Sequence, residues 1–250
     1  MELRDKVGVV TGGHKGLGAD IVDLILREGG KVVAVSRSGR PKHAAPVEGV
    51  MDMRGDVTHE STVTDAIALC LQTYGGFDFI VNNAGILGEG SLHKTTNEVW
   101  DQLVATHLTA SFWGCKHATN TFRERGTGGV VLNVGSILSL AGEAYLGAYT
   151  AMKHGVLGLT KAFAIDHASD GIRYNCLCPG DMDTPMIQDY YRGTGDAAAA
   201  ERNLAQAYPG GRIAQSLEVA EAAVFLLGSR ASFISGTSLV VDGGLLANAY

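Results

Sequence analysis

The sequence predicts one α/β domain, a parallel sheet with helices on both faces. Three observations carry this. Short apolar runs alternate with segments whose apolar residues recur at helical spacing. The runs are near-continuous in valine, isoleucine and leucine, as strands buried on both faces require. Polar clusters fall just after the carboxyl ends of these runs, where open α/β sheets bind ligands.

Taken in order, Val7–Thr11 reads as the first strand. Residues 16–28 read as a helix, with Leu17, Ile21, Leu24 and Ile25 on one face. Lys31–Ser36 is the second strand and 49–54 a weaker third. A helix over 61–74 leads to a fourth strand over 77–81. A long helical stretch covers 98–125, a fifth strand 130–134 and a helix 148–168. A sixth strand over 172–177 and a seventh, Ser238–Val241, complete the sheet. The expected fold class is therefore a doubly wound, Rossmann-like, seven-stranded parallel sheet in one domain spanning 1–250. Residues 186–215 form a long insertion before the last helix, and 194–200 are its least core-like part.

Bulk composition narrows the function classes. The 250 residues carry a net charge of −6, which disfavours a nucleic-acid partner. No apolar run reaches the roughly 18 residues of a membrane span. The start lacks an apolar secretory core, so a cytoplasmic protein is expected. The four cysteines, Cys70, Cys115, Cys176 and Cys178, lack zinc spacing with any histidine, so no metal site is expected and reduced thiols are.

The loop Thr11-Gly12-Gly13-His14-Lys15-Gly16-Leu17-Gly18 joins the first strand to the first helix. Glycines let a backbone bend and let a pyrophosphate approach the free N–H groups of a helix N-terminus. The spacing is not the common G-x-G-x-x-G. The second strand ends at Ser36-Arg37. An acid there would bind a ribose 2′-hydroxyl and repel a 2′-phosphate, and Ser36 has no such charge. Arg37, Arg40 and Lys42 follow, with Lys15 in the glycine loop, which reads either as a solvated basic loop or as a preference for NADP(H) with NAD(H) still possible. Asp56-Val57 is placed for the adenine edge. Asn82-Asn83-Ala84-Gly85 either ties neighbouring strands together or lines the ribose pocket.

Tyr149 and Lys153 are four apart on a helix and share a face. Lowering a tyrosine by about three units needs roughly 4 kcal/mol. One cation about 4 Å away supplies around 4 kcal/mol at an effective dielectric near 20. Ser136, just beyond the fifth strand, is either a loop cap or a hydroxyl for the substrate oxygen. No hydrolase elbow surrounds it.

Together, in this order, these motifs resemble the short-chain dehydrogenase/reductase family over nearly the whole chain. Ile172-Arg-Tyr-Asn-Cys-Leu-Cys-Pro-Gly180, Thr184-Pro185 and Val241-Asp-Gly-Gly244 add to the likeness. The resemblance implies that Ser136 orients a carbonyl, Tyr149 exchanges the proton, and Lys153 binds the nicotinamide ribose and lowers the tyrosine. It implies that Gly12, Gly16 and Gly18 line the pyrophosphate, with His14, Lys15 and Leu17 in the same loop, and Asn83 the adenosine-side ribose. Thr184, after Pro179-Gly180, would meet the nicotinamide. The insertion would be a lid, and the long helices over 98–125 and 148–168 would build a homotetramer.

One departure stands out. Where the family carries an asparagine that holds a water behind the lysine, this chain has His107. It either holds that water, carries the proton itself, or only fills the space. The substrate wall is expected from 137–145 and 186–208, with Leu138, Glu143, Met186 and Tyr190 beside Ser136 and Tyr149. That mixture suggests a small or medium, mainly apolar alcohol or ketone. The alternatives are a 3-oxoacyl carrier-protein reductase and a non-catalytic NADP(H)-binding regulator.

Overall fold

The computed structural model describes residues 1–40 and 45–248; Lys42 lies outside the described residues. Strands β1 (Val7–Thr11), β2 (Lys31–Ser36), β3 (Val50–Arg54), β4 (Phe79–Asn82), β5 (Gly129–Val134), β6 (Ile172–Pro179) and β9 (Ser238–Val241) form one parallel sheet in the order β3-β2-β1-β4-β5-β6-β9. The order reverses between β1 and β4, so the crevice above their carboxyl ends is the expected ligand site.

Each strand feeds two cores, which explains its continuous apolar sequence. Val10, Val32, Ala34, Val81, Leu132 and Leu177 face helices α1 (Gly16–Arg27) and α8 (Ser216–Leu227). Val7, Val9, Val33, Val35, Ile80, Val131 and Tyr174 face α2 (Glu60–Tyr74), α4 (Ala110–Arg125) and α5 (Gly147–Asp166) on the other side. The period of two along β1 and β2 is thus a division between two dry layers, not between core and water.

Two features had no counterpart in the sequence reading. The stretch expected as one helix over 98–125 is α3 (Asn97–Leu103), a π-helical segment Val104–Thr109 and α4, in unbroken succession. The insertion is two helices, α6 (Pro185–Gly193) and α7 (Ala197–Ala207), with Asp196 capping α7 through Ala199 N–H. Its ends are stapled by a two-residue parallel ladder, β7 (Met182–Asp183) on β8 (Ala214–Gln215). Among the described residues no helix is long and apolar enough to cross a membrane.

Candidate active site

Three elements bring Ser136, Tyr149 and Lys153 to the carboxyl edge. Ser136 follows β5 and caps a 3-10 turn, Ile137–Ser139: its Oγ accepts the Leu138 N–H at 3.1 Å, and Ser139 Oγ accepts the Ser136 N–H at 3.2 Å. The cap reading of Ser136 therefore holds, and its hydroxyl lies close enough to Tyr149 to oppose the rise of the phenol. Tyr149 and Lys153 lie on the first turns of α5, and the ammonium stands 5.3 Å from the centre of the tyrosine ring. Lys153 is 5% exposed, and its Nζ donates to the Val134 carbonyl at 2.8 Å.

The electrostatics are those of a dry site. Burial pushes Lys153 down to about 8, which leaves it mostly cationic at neutral pH. Burial pushes Tyr149 up; the Ser136 hydrogen bond opposes this and the Asp181 charge adds to it. The lysine-driven lowering expected from the sequence is thus absent in the free protein. Desolvation dominates at the tyrosine, and the ammonium is turned to the Val134 carbonyl.

His107 lies in the π-helical segment, 2% exposed, and its ring meets that of Tyr149 edge-on with centroids 5.3 Å apart. Its Nε2 is 2.8 Å from the Ile86 carbonyl oxygen and 3.2 Å from the Ile86 N–H. The shorter contact selects the tautomer that donates to the carbonyl. Burial, then the Lys153 charge, lowers His107 to about 3. The expectation that it carries a proton near neutrality is corrected: the ring is neutral there.

At the other end of the carboxyl edge, the glycine loop brings the backbone close to its neighbours and leaves a helix N-terminus open. Gly12 has φ +68°, and a Cβ there would lie 2.7 Å from Asn83 Nδ2. The N-terminus of α1 has no side-chain cap, so its N–H groups stay open to an anion. A Cβ on Gly16 would lie 3.2 Å from Thr184 Cγ2, so α6, also uncapped by Thr184, begins against the same loop. Leu17 and Gly18 are buried, so in this part of the loop only backbone is left to meet a ligand. Pro179 ends β6, and Gly180 N–H bonds the Val241 carbonyl at 3.0 Å.

Several predicted contacts turn out to be braces. Asn83 Nδ2 donates to the carbonyls of Thr11 at 2.9 Å and Gly12 at 3.4 Å, and Thr11 Oγ1 receives the N–H groups of Asn83 and Ala84. Asn82 ties β4 to β5 through Asn133 at 2.8 Å. A Cβ on Gly85 would lie 2.8 Å from His107 Cε1, so this turn packs on the histidine. His14, in the same loop, is tied to the neighbouring strands: its Nδ1 bonds Ser36 Oγ at 2.8 Å and its Nε2 bonds Asp52 at 2.9 Å. Arg40 is also held by Asp52, at 2.6 Å. Arg37 and Lys15 are exposed. Asp56 is held low although burial opposes it, because Thr58 donates twice to its Oδ1 and Arg37 adds a positive charge. Val57 and Ala84 line a water-sized cavity of about 10 Å³.

On the substrate side, Leu138 is buried, Met186 is exposed, and Tyr190 lines a cavity of about 460 Å³ between α6 and α7. Glu143 is raised by partial burial and by the charges of Asp181 and Glu89. The sequence reading missed Asp181 and its partner Tyr208; no local pattern marks a contact between residues 27 apart.

A family model described as enoyl-(acyl carrier protein) reductase matches residues 12–246. The chain is 34% identical over 251 residues to 2-(S)-hydroxypropyl-CoM dehydrogenase 3 of Xanthobacter autotrophicus, covering 98% of each protein. Among solved structures it resembles levodione reductase, with a TM-score of 0.92 and 30% identity over 99% of this chain and 100% of that one. It also resembles ElxO with NADP bound, with a TM-score of 0.88 and 28% identity over 97% and 99%. With the sheet order and the Ser136, Tyr149 and Lys153 cluster, these likenesses show that the chain belongs to the short-chain dehydrogenase/reductase family, as an NAD(P)-dependent dehydrogenase of hydroxyl groups.

Proposed function

We propose that the protein interconverts a small or medium secondary alcohol and its ketone, with NADP(H) preferred over NAD(H). The observation that carries this is the meeting of Ser136, Tyr149 and Lys153 at one dry point, beside a glycine loop with an open helix N-terminus. When bound, the dinucleotide supplies or accepts the hydride. The chain's own residues handle the proton and the substrate oxygen. Ser136 and Tyr149, whose side chains lie close together, hold that oxygen between their hydroxyls. Tyr149 is a neutral phenol in the free protein, the form that gives a proton to a carbonyl oxygen. Lys153 stays cationic near neutrality; moving its ammonium from Val134 toward a ribose and the phenolate stabilises the charge left on Tyr149. His107, neutral and pinned to Ile86, supports the tyrosine ring.

NADP(H) preference rests on a β2 end without an acid and on Arg37 and Lys15, the exposed cations near it. Asp52 already holds Arg40 and His14, which leaves Arg37 and Lys15 for a 2′-phosphate. The segment α6–α7 serves as lid. Phe112 on α4 and Ile165 on α5 are exposed apolar residues that fit a homotetramer built on those helices. All four cysteines are free, which fits a reducing, cytoplasmic setting. The carrier-protein reading asks for a basic docking face, whereas Glu89, Glu143 and Asp181 gather acidic charge at the substrate end.

The test is a screen of ketones and secondary alcohols by NADP(H) absorbance, with Tyr149→Phe as control. Turnover in the wild type that the variant loses is expected. Cofactor binding without turnover of any substrate would favour a regulator instead.

A further inference from the structure

At the carboxyl end of β2, three side chains from three elements form one hydrogen-bonded chain. Asp52 Oδ1, on β3, lies 2.9 Å from His14 Nε2, and His14 Nδ1 lies 2.8 Å from Ser36 Oγ. Ser36 Oγ also accepts the Gly39 N–H at 3.1 Å, and Asp52 Oδ2 accepts the Arg40 Nε–H at 2.6 Å. The glycine loop reaches this corner because Gly13 lies flat on β2. Its N–H bonds the Val35 carbonyl at 3.2 Å, and a Cβ on it would lie 3.1 Å from Ala34 Cβ. The His14 side chain is 5% exposed, whereas Ser36 is only partly buried. A ligand at the end of β2, where this fold places the 2′ position of the adenosine ribose, therefore meets the serine and not the imidazole.

The protons of this chain can be counted from its contacts. Burial opposes ionisation of Asp52, but hydrogen bonds from Arg40 and His14 hold it below the usual carboxylate range. A carboxylate only accepts, so Nε2 carries a hydrogen, and in a neutral ring Nδ1 is then a bare acceptor. The Ser36 hydroxyl must give its proton to Nδ1, while one of its lone pairs holds the Gly39 N–H. In this state Ser36 has a lone pair to offer and no proton. That suits a ribose 2′-hydroxyl, which can donate, and not a phosphate, whose ionised oxygens only accept. A second proton on the ring reverses the chain. Nδ1–H then donates to Ser36 Oγ, and the serine proton turns outward to an acceptor.

We propose that His14, held by Asp52, is a positioning residue for cofactor choice: it takes one proton from solvent when a 2′-phosphate meets Ser36, and none when a 2′-hydroxyl does. The preference for NADP(H) over NAD(H) then rises as the pH falls. The charges agree with the hydrogen bonds. Among the described residues, the charged groups around the ring are Asp52 and Arg40, Lys15 next to it in the glycine loop, Arg37 next to Ser36, and Arg54, whose Nε donates to the Arg37 carbonyl at 3.4 Å. Asp56 lies beyond them, within the field of Arg37. Asp52 and Arg40 cancel, so a charged ring leaves their cluster positive. A phosphate brings about −1.5 to −2 charges to its edge and favours that proton. This inference rests on the reading that the end of β2 receives a 2′-phosphate.

The experiment is calorimetric titration of the protein with NADPH and with NADH at pH 7, in buffers of different ionisation enthalpy, which counts the protons taken up with each. NADPH is expected to bring a net uptake that NADH does not, and the ratio of NADPH to NADH affinity should fall severalfold between pH 6.5 and 8.5. The phosphate's own ionisation, near about pH 6, runs the other way, since a phosphate held by cations releases a proton. His14→Gln should abolish the uptake and flatten the ratio against pH. Ser36→Ala should cut the uptake although the histidine remains. Asp52→Asn should cut it as well, because without the carboxylate a neutral ring can present Nδ1–H to the serine. Thermal melts verify that each variant folds; if His14→Gln does not, Ser36→Ala decides. Equal proton counts for the two cofactors in the wild type, or an uptake unmoved in His14→Gln or Ser36→Ala, would overturn the proposal alone. Binding of NADH with no binding of NADPH at any pH would overturn the underlying reading and this one with it.

Discussion

At the chemical end of the cleft, Lys153 and Tyr149 are buried, and burial shifts both toward their neutral forms. At the adenosine end, Arg37 and Lys15 are exposed, while Asp52 pairs with Arg40 and His14 at a partly buried site. A charge in the dry end acts over short distances with little screening. A charge at the wet end is weakened by water and salt and serves mainly to attract. Under the proposed function, the first end would govern the rate of the proton step and the second which cofactor arrives.

The largest effect that tests this division is Tyr149→Phe. It should lower kcat/KM about a thousandfold, within the range for a general acid. NADPH affinity, read by fluorescence titration, should move by less than about threefold, since the helix N-terminus and glycines bind the phosphates. Residual activity within tenfold of wild type would erase the distinction between the ends.

Lys153→Met tests the dry end through stability. Between pH 8 and 10.5 the unfolded lysine is protonated and the folded one is not, so stability rises with pH in that window. The rise is on the order of 3 kcal/mol. Urea denaturation at pH 7.5 and 10 should show it in the wild type and not in the variant. An equal pH slope in both proteins would mean that the lysine is hydrated.

Arg37→Ala should raise KM for NADPH about tenfold, the loss of one charge-assisted hydrogen bond. The values of kcat and of KM for NADH should stay nearly constant. Added salt should reproduce part of the effect in the wild type. A drop in kcat instead would show that the two ends are not separable.

The smallest effect is at His107. Below pH 6.5 the unfolded chain takes up a proton that the folded ring resists down to about 3, so wild-type stability falls across that window. His107→Asn should flatten this fall and change kcat only severalfold. A break in the wild-type pH–rate profile near 6.5 that vanishes in His107→Asn would restore histidine as a titrating relay.

The strands were legible because burial on both faces writes itself as unbroken apolar runs; β1, β2 and β9 have the expected bounds. The glycine loop was legible because open backbone needs residues without Cβ. The π-helical segment was not, since one wider turn leaves no periodic mark in a helix of ordinary composition. The pairing of β7 with β8 rests on two residues each, too few to carry a pattern. The partner of His14 was not legible, because Asp52, which bonds its ring, arrives from β3 on the far edge of the sheet.

The apposition of Gly16 and Thr184 has a kinetic consequence. α6 starts against the end of the glycine loop where α1 begins, so under the proposed function a dinucleotide lying on that loop would also be a surface on which α6 rests. Substrate then enters a chamber whose roof is already propped by the cofactor. Compulsory order is the expected rate law: dinucleotide on first and off last, with product inhibition competitive between its oxidised and reduced forms. A methyl group at position 16 would hold the roof ajar and let the two ligands bind in either order.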